Sequence, residues 1–189
     1  MLSNNMKVVK LGVDGWLQDM SAKSLSWYPE GSPVEISNEL INCLEERSNE
    51  NQVNTRVCLH NSPDAAIHEM IICQRNSQAH PPKRHPARDK TFLVLRGELL
   101  VAIFNAAGEV IRTWVLKSES ENDTLCVRVP AGVFHCDFAL TETAVHLETT
   151  QGPFSPTNDR EYLWVEHIDS SNNWEEAKVK IIRNQISLR

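Results

Sequence analysis

The stretch spanning residues 78–135 constrains this chain most. It opens Gln78-Ala-His-Pro-Pro-Lys-Arg-His-Pro-Ala-Arg-Asp-Lys, runs into the apolar Thr91-Phe-Leu-Val-Leu-Arg and turns at Gly97. It closes on Val129-Pro-Ala-Gly-Val-Phe-His135. Pro81, Pro82 and Pro86 lack the amide hydrogen that a central strand must donate, so 80–88 is expected at a sheet edge or barrel rim. A strand closed by a glycine turn comes first. A Pro-x-Gly turn leading into a strand that starts on a histidine comes second. Two such half-sites, each donating side chains inward, suit one small antiparallel barrel. Inward side chains of such a barrel normally pack as core, so inward polar ones make a site.

The remaining strands follow from short β-rich runs separated by turn chemistry. They are expected at 55–60, 67–73, 91–96, 98–104, 109–116, 125–129, 133–139, 144–149 and 162–167. Met70, Ile71 and Ile72 in one run fit a strand buried on both faces. A helix is expected at about 37–47. There Ile36, Leu40, Ile41 and Leu44 recur at helical spacing, Ser37 or Asn38 can cap, and Glu39 sits in the first turn. The fold class is therefore all-β, a sandwich or barrel, and we expect a jelly-roll barrel with flanking helices. Three regions follow: an N-terminal arm (1–34), the barrel with its leading helix (35–168), and a C-terminal tail (169–189).

In the arm, Val8, Leu11 and Val13 suggest a short strand, and Trp16, Trp27 and Tyr28 are apolar anchors. It is expected to pack on its own or a neighbouring barrel, or to cover the barrel mouth. In the tail, Trp174, Ala177 and Ile181 suggest a helical face after residue 172, while the alternation of Ala177, Val179 and Ile181 also suits a strand beyond Ala177; the segment is expected outside the barrel or exchanged between subunits. Arms at both ends and open sheet edges lead us to expect a homodimer.

Composition removes several classes. The 189 residues suffice for one domain, and 41% hydrophobic with 23% charged residues is ordinary for a globular protein. A net charge of −6 argues against a general nucleic-acid binder, which needs a basic face. No apolar run nears the length of a membrane span, and no signal-peptide pattern opens the chain. Five cysteines without a Cys-x-x-Cys read as reduced, mostly buried thiols, so a cytoplasmic protein is expected.

The short motifs carry a resemblance. Leu59-His-Asn-Ser-Pro-Asp, Arg84-His-Pro, the run from Phe92 to Gly97, the turn from Pro130 to His135, and Leu147-Glu-Thr-Thr-Gln-Gly-Pro-Phe occur in order at compatible spacing over roughly 35–168. Together they resemble the WbuC-type cupin-fold metalloproteins encoded among bacterial O-antigen genes. The resemblance implies a cupin barrel, a sugar-related role and a metal site. The site would be built from a His-x-His, a Glu five residues on, and a histidine of the second motif. Those positions here hold Lys83, His85, Lys90 and His135, so two of the four ligands are replaced by lysine. A protonated lysine has three donors and no lone pair for a metal.

His85 and His135 are accordingly the candidate catalytic pair, for proton transfer at neutral pH, and the candidate metal ligands. Any divalent ion there (zinc, nickel, iron or manganese) would be weakly held unless His80, His146 or Glu148 is recruited. Lys83, Lys90, Glu148 and His146 are the candidate ligand-binding residues. An inward lysine must pair or lose its proton, and Glu148 is the expected partner for one of them. Cys136 alternates away from His135, His60 is expected to make a structural hydrogen bond, and His68 and His167 read as surface residues.

Three functions suit this set. One is a protein that binds or modifies a sugar, a sugar nucleotide or a related small polar molecule. The second is a metal-dependent cupin enzyme of the small-molecule dioxygenase kind. The third is a non-catalytic module for a small anion.

Overall fold

Alternation along the strands decides which residues meet between the sheets. A computed structural model describes residues 6–7, 11, 13–20, 22, 24–78, 80–153 and 160–163. The elements run β1 (Met6–Lys7), β2 (Trp16–Asp19), β3 (Leu25–Pro29), α1 (Asn38–Asn51), β4 (Thr55–Cys58), β5 (Ile67–Arg75), β6 (Lys83–Arg84) and β7 (Lys90–Arg96). They continue with β8 (Leu99–Phe104), β9 (Val110–Leu116), β10 (Cys126–Val129), β11 (Phe134–Ala139), β12 (Thr143–Gln151) and β13 (Glu161–Tyr162).

Strands β5 to β12 wind as a jelly roll. β5, β12, β7 and β10 lie side by side in one sheet, and β6, β11, β8 and β9 in the other. The first sheet continues past β5 through β4, β3, β2 and β1, and the second past β6 to β13. Inward positions of both sheets form one core: Phe92, Val94, Val127, Val129 and Ala144 from the first, and Leu99, Val101, Leu116 and Ala139 from the second. The alternate residues Leu100, Ala102, Phe104, Cys136 and Phe138 form a separate buried cluster on the other face of the second sheet.

On the outer face of the first sheet, Leu40, Ile41 and Leu44 of α1 pack against Ile71, Cys73 and Val145. Ser37 caps α1, accepting from the Leu40 amide at 3.2 Å. The helix runs past the expected end near 47 to Asn51. The polar run there continues the solvent-facing side, while the buried Ser48 hydroxyl donates to the Val53 carbonyl at 2.8 Å.

Most of the short strand expected around Val8, Leu11 and Val13 lies outside the described residues. The described strands of the N-terminal segment are β1, β2 and β3, laid along the sheet edge. Leu11, Trp16 and Trp27 join the core beneath α1, and Tyr28 packs with Cys58 and Met70. These anchors thus cover the outer face of the first sheet of their own barrel. The Pro-rich approach forms the short β6, and β13 pairs along its far side, so β6 lies one strand in from the edge. Gly97 is required at its turn: its φ is +74°, and a Cβ there would stand 2.6 Å from the Thr143 carbonyl oxygen. The tail helix expected after 172 and most of the strand at 162–167 lie outside the described residues. Among the described residues no helix is long and apolar enough to cross a membrane.

Candidate functional site

The loop before β7 and the turn before β11 are bound together by one carboxylate. Asp89 accepts from the Ala131 amide at 2.9 Å and from Arg128 and Gln151. Its own amide donates to Gln151 Oε1 at 2.8 Å, and its carbonyl accepts from Thr150. The Gly132 amide donates to the His85 carbonyl at 2.9 Å. The Pro-x-Gly turn therefore holds the backbone of His85 against the start of β11, where His135 lies. Their rings stand 6.0 Å apart between centroids, inclined by 36°.

Register supplies the other side chains. Lys83 is the direct partner of His135 across β6 and β11, so both side chains point to the same face of the sheet. Arg84 alternates outward, lying over the Phe134 ring and pairing with Glu161. On β12, His146 and Glu148 alternate inward, opposite Val94 and Phe92 of β7. A register shift between Val145 and His146 marks a bulge beside the site. Phe92 forms the floor, 6.2 Å from His135 and 6.0 Å from His146 between ring centroids.

The two lysines differ. Lys90 Nζ donates to Glu148 Oε1 at 2.7 Å, and both side chains are about nine-tenths buried. Lys83 is 8% exposed, and its side chain makes no hydrogen bond or ion pair among the described residues, while its backbone pairs with β11 and β13. Burial lowers the pKa of Lys83, and the Lys90 charge lowers it further, against the pull of Asp137 and Glu148.

Asp137 is the site residue that the motif reading missed. It lies two residues beyond His135 on β11, so its side chain turns inward as well. Lys83 and Lys90 overcome its burial and hold its pKa down at about 2, a carboxylate at any ordinary pH. The same alternation that separates His135 from Cys136 would have found it. Cys136 itself packs in the cluster on the opposite face of the sheet.

The imidazoles of His135 and His146 are neutral at pH 7. Burial lowers the pKa of both, and it outweighs Asp137, which pulls His135 up, and Asp137 and Glu148, which pull His146 up. His135 Nδ1 lies 2.9 Å from the Val133 carbonyl, which can only accept. The proton therefore sits on Nδ1, and Nε2 presents its lone pair to the interior, where it has no partner among the described residues. His146, 1% exposed, has no partner among the described residues for either ring nitrogen. It is far deeper than a rim or surface position. His80 stands exposed on the approach to β6.

Two further histidines lie at the β4–β5 connection. The Glu69 amide donates to His60 Nδ1 at 3.2 Å, a structural hydrogen bond. His68, expected on the surface, is instead 5% exposed and stacked on His60 at 4.2 Å. The 59–66 loop folds back over the strand and covers it, and its Nε2 donates to the Pro63 carbonyl at 3.0 Å. His167 lies outside the described residues.

Four donors around one ion is the arrangement the resemblance implies, and the residues present do not supply it. Two of the positions hold lysine nitrogens, one charged and paired, the other facing the histidine that would ligate. Among the described residues, no group of three or more His, Cys, Asp or Glu side chains is placed to share a metal ion.

A low pH is expected to unfold this site. In the unfolded chain histidine protonates near 6.5, whereas His135 and His146 protonate lower in the folded one, so stability falls as pH drops below about 6.5. Asp137 and Glu148, both held down by lysine charge, add a second loss as pH falls below about 4. Between pH 7 and 5 the melting temperature should therefore fall. A higher melting temperature at pH 5 than at pH 7 would contradict these assignments.

A family model described as a domain of unknown function, DUF6016, matches residues 36–116. That match takes in Lys83, His85 and Lys90 and ends before His135, Asp137, His146 and Glu148. No curated protein matches the chain. Among solved structures, the capsular polysaccharide assembling protein CapF from Staphylococcus aureus is similar at 18% identity. The likeness covers 58% of this chain and 29% of CapF, with a TM-score of 0.46. Protein SO0799 from Shewanella oneidensis is 13% identical over 59% of this chain and 75% of its own, also at 0.46. A recombinant oxalate oxidase in complex with glycolate is 16% identical over 57% of this chain and 51% of its own, at 0.42. The chain thus spans less than a third of CapF and about half of the oxalate oxidase.

Proposed function

We propose that the barrel interior binds a small, oxygen-rich anionic molecule of the sugar or sugar-nucleotide class. It does so without a tightly held metal and uses His85 and His135 to move protons on that molecule. One observation carries this reading: the side chain of Lys83 is buried opposite His135 with no hydrogen bond or ion pair among the described residues. A buried cation without a partner costs several kcal/mol, and an incoming carboxylate or phosphate removes that cost. Lys90 is already paired with Glu148 and adds its field. Hydroxyl groups of the ligand suit the open Nε2 of His135 and the two ring nitrogens of His146. His135 Nε2, with its proton fixed on the far nitrogen, is the proton acceptor.

Titrating the protein with sugar nucleotides, sugar phosphates and simple organic acids tests this reading. At least one anionic ligand is expected to bind, with affinity falling about tenfold or more in Lys83→Met, the loss of one charge-assisted contact. Equal binding of anionic and neutral sugars, unchanged in Lys83→Met, would refute it. Binding without turnover would leave the non-catalytic anion module as the description.

A further inference from the structure

We propose that Lys83 is an amine nucleophile that condenses with the carbonyl carbon of a small anionic aldehyde or ketone to form an imine. The inference rests on the binding reading above and adds a substrate class and a covalent step to it.

The geometry separates the two lysines into two jobs. Lys90 is held by Glu148 at 2.7 Å in a buried ion pair. Lys83, 8% exposed, makes no such pair among the described residues. A buried amine with no acceptor for its protons is favoured in the neutral form, and a second cation nearby favours it further. Burial and Lys90 do lower its pKa. Lys83 draws the anion inward as an ammonium with the field of Lys90 beside it, and the fraction that has given up its proton is the nucleophile. His135 lies directly opposite Lys83 with its lone-pair nitrogen open, so a proton acceptor stands beside the amine.

The step balances with these groups alone. The Nζ lone pair forms a C–N bond while the carbonyl π pair moves to oxygen. The nitrogen gives a proton to His135 Nε2, and the imidazolium passes that proton to the oxygen, leaving a neutral carbinolamine. The nitrogen pair then forms C=N as the hydroxyl departs, and the remaining N–H proton, relayed by His135 Nε2, leaves with the hydroxyl as water. One amine and one carbonyl give one imine and one water, with no oxidant or reductant. An imine is the electron sink through which a neighbouring C–H proton can be removed, so the same site could carry isomerisation of a keto or aldehyde sugar.

Trapping decides the matter. The full-length protein is incubated with glyceraldehyde 3-phosphate or with pyruvate, in the presence of cyanoborohydride, which reduces imines to stable secondary amines. Intact mass and peptide mapping then locate the adduct, and calorimetry without reductant measures binding of the same probes. The expected result is a single adduct on Lys83, formed at least tenfold faster than on any exposed lysine. The rate should rise with pH from 6 to 8 as the amine fraction grows, and the adduct should be absent in Lys83→Arg. Mapping on the wild-type protein keeps the test decisive if Lys83→Arg fails to fold. Binding of a probe with no adduct on Lys83, or adducts spread evenly over the exposed lysines, overturns the imine and leaves the binding reading standing. Neither binding nor adduct with either probe overturns both.

Discussion

Replacing Glu148 with alanine is expected to cost about 3–5 kcal/mol of folding stability, the usual loss when one partner of a buried ion pair is removed. The cost arises from Lys90. Its ammonium is about nine-tenths buried and is held by Glu148 at 2.7 Å. Without that carboxylate it must stay charged away from water beside Lys83, or give up its proton. Replacing both partners by apolar side chains, as in the Lys90→Met, Glu148→Leu double variant, should recover most of the loss, because no charge is then stranded. Urea denaturation of the two variants checks this. A loss below about 1 kcal/mol in Glu148→Ala would mean that the pair is solvated and that the barrel interior is open to water at that point.

The second large effect concerns zinc. Lys83→His is expected to tighten zinc binding by about a thousandfold or more. At about 4 Å and an effective dielectric of 20, one unit charge repels a divalent ion by roughly 8 kcal/mol, and each 1.4 kcal/mol is tenfold in affinity. Solvent screening and deprotonation of the lysine reduce that figure, yet half of it is already close to a thousandfold. The substitution also places a third imidazole beside His85 and His135, opposite the latter in register. Competition with a chromophoric chelator measures the change. Equal zinc affinity in the wild type and in Lys83→His would show that the lysine turns away from the ion's position.

Much of the barrel was legible from residue pattern, and the reason is alternation. In 98–104 and 133–139 apolar residues fill both faces, and a run bounded by a glycine or Pro-x-Gly turn reads as a strand. The strands found there, β8 and β11, start one residue later than expected. The polar continuation of α1 and the strands β2 and β3 were not legible. Ser48 looks like loop until the Val53 carbonyl is seen to receive its hydroxyl. β3 pairs parallel to β4 across the intervening helix, which no local signal announces.

The candidate site was legible where a motif pointed at it. His85, His135 and the pairing of a lysine with Glu148 follow from spacing and charge. Asp137 was overlooked because it sits in an otherwise apolar run, Phe134-His-Cys-Asp-Phe-Ala, beyond the end of the motif. The depth of His146 depends on the bulge that sets β12 against β7, and the burial of His68 on a loop folding back. Both are tertiary facts with no local signature.

We propose that lysine stands in this barrel where the resembling family keeps metal ligands, and metal retention tests this most directly. Purified wild-type protein is equilibrated with zinc, nickel, iron or manganese, dialysed against metal-free buffer and measured for bound metal. The account predicts far less than one ion per chain for each, unchanged by His85→Ala. Near-stoichiometric retention that disappears in His85→Ala would contradict it and make Lys83 and Lys90 bystanders at a metal site.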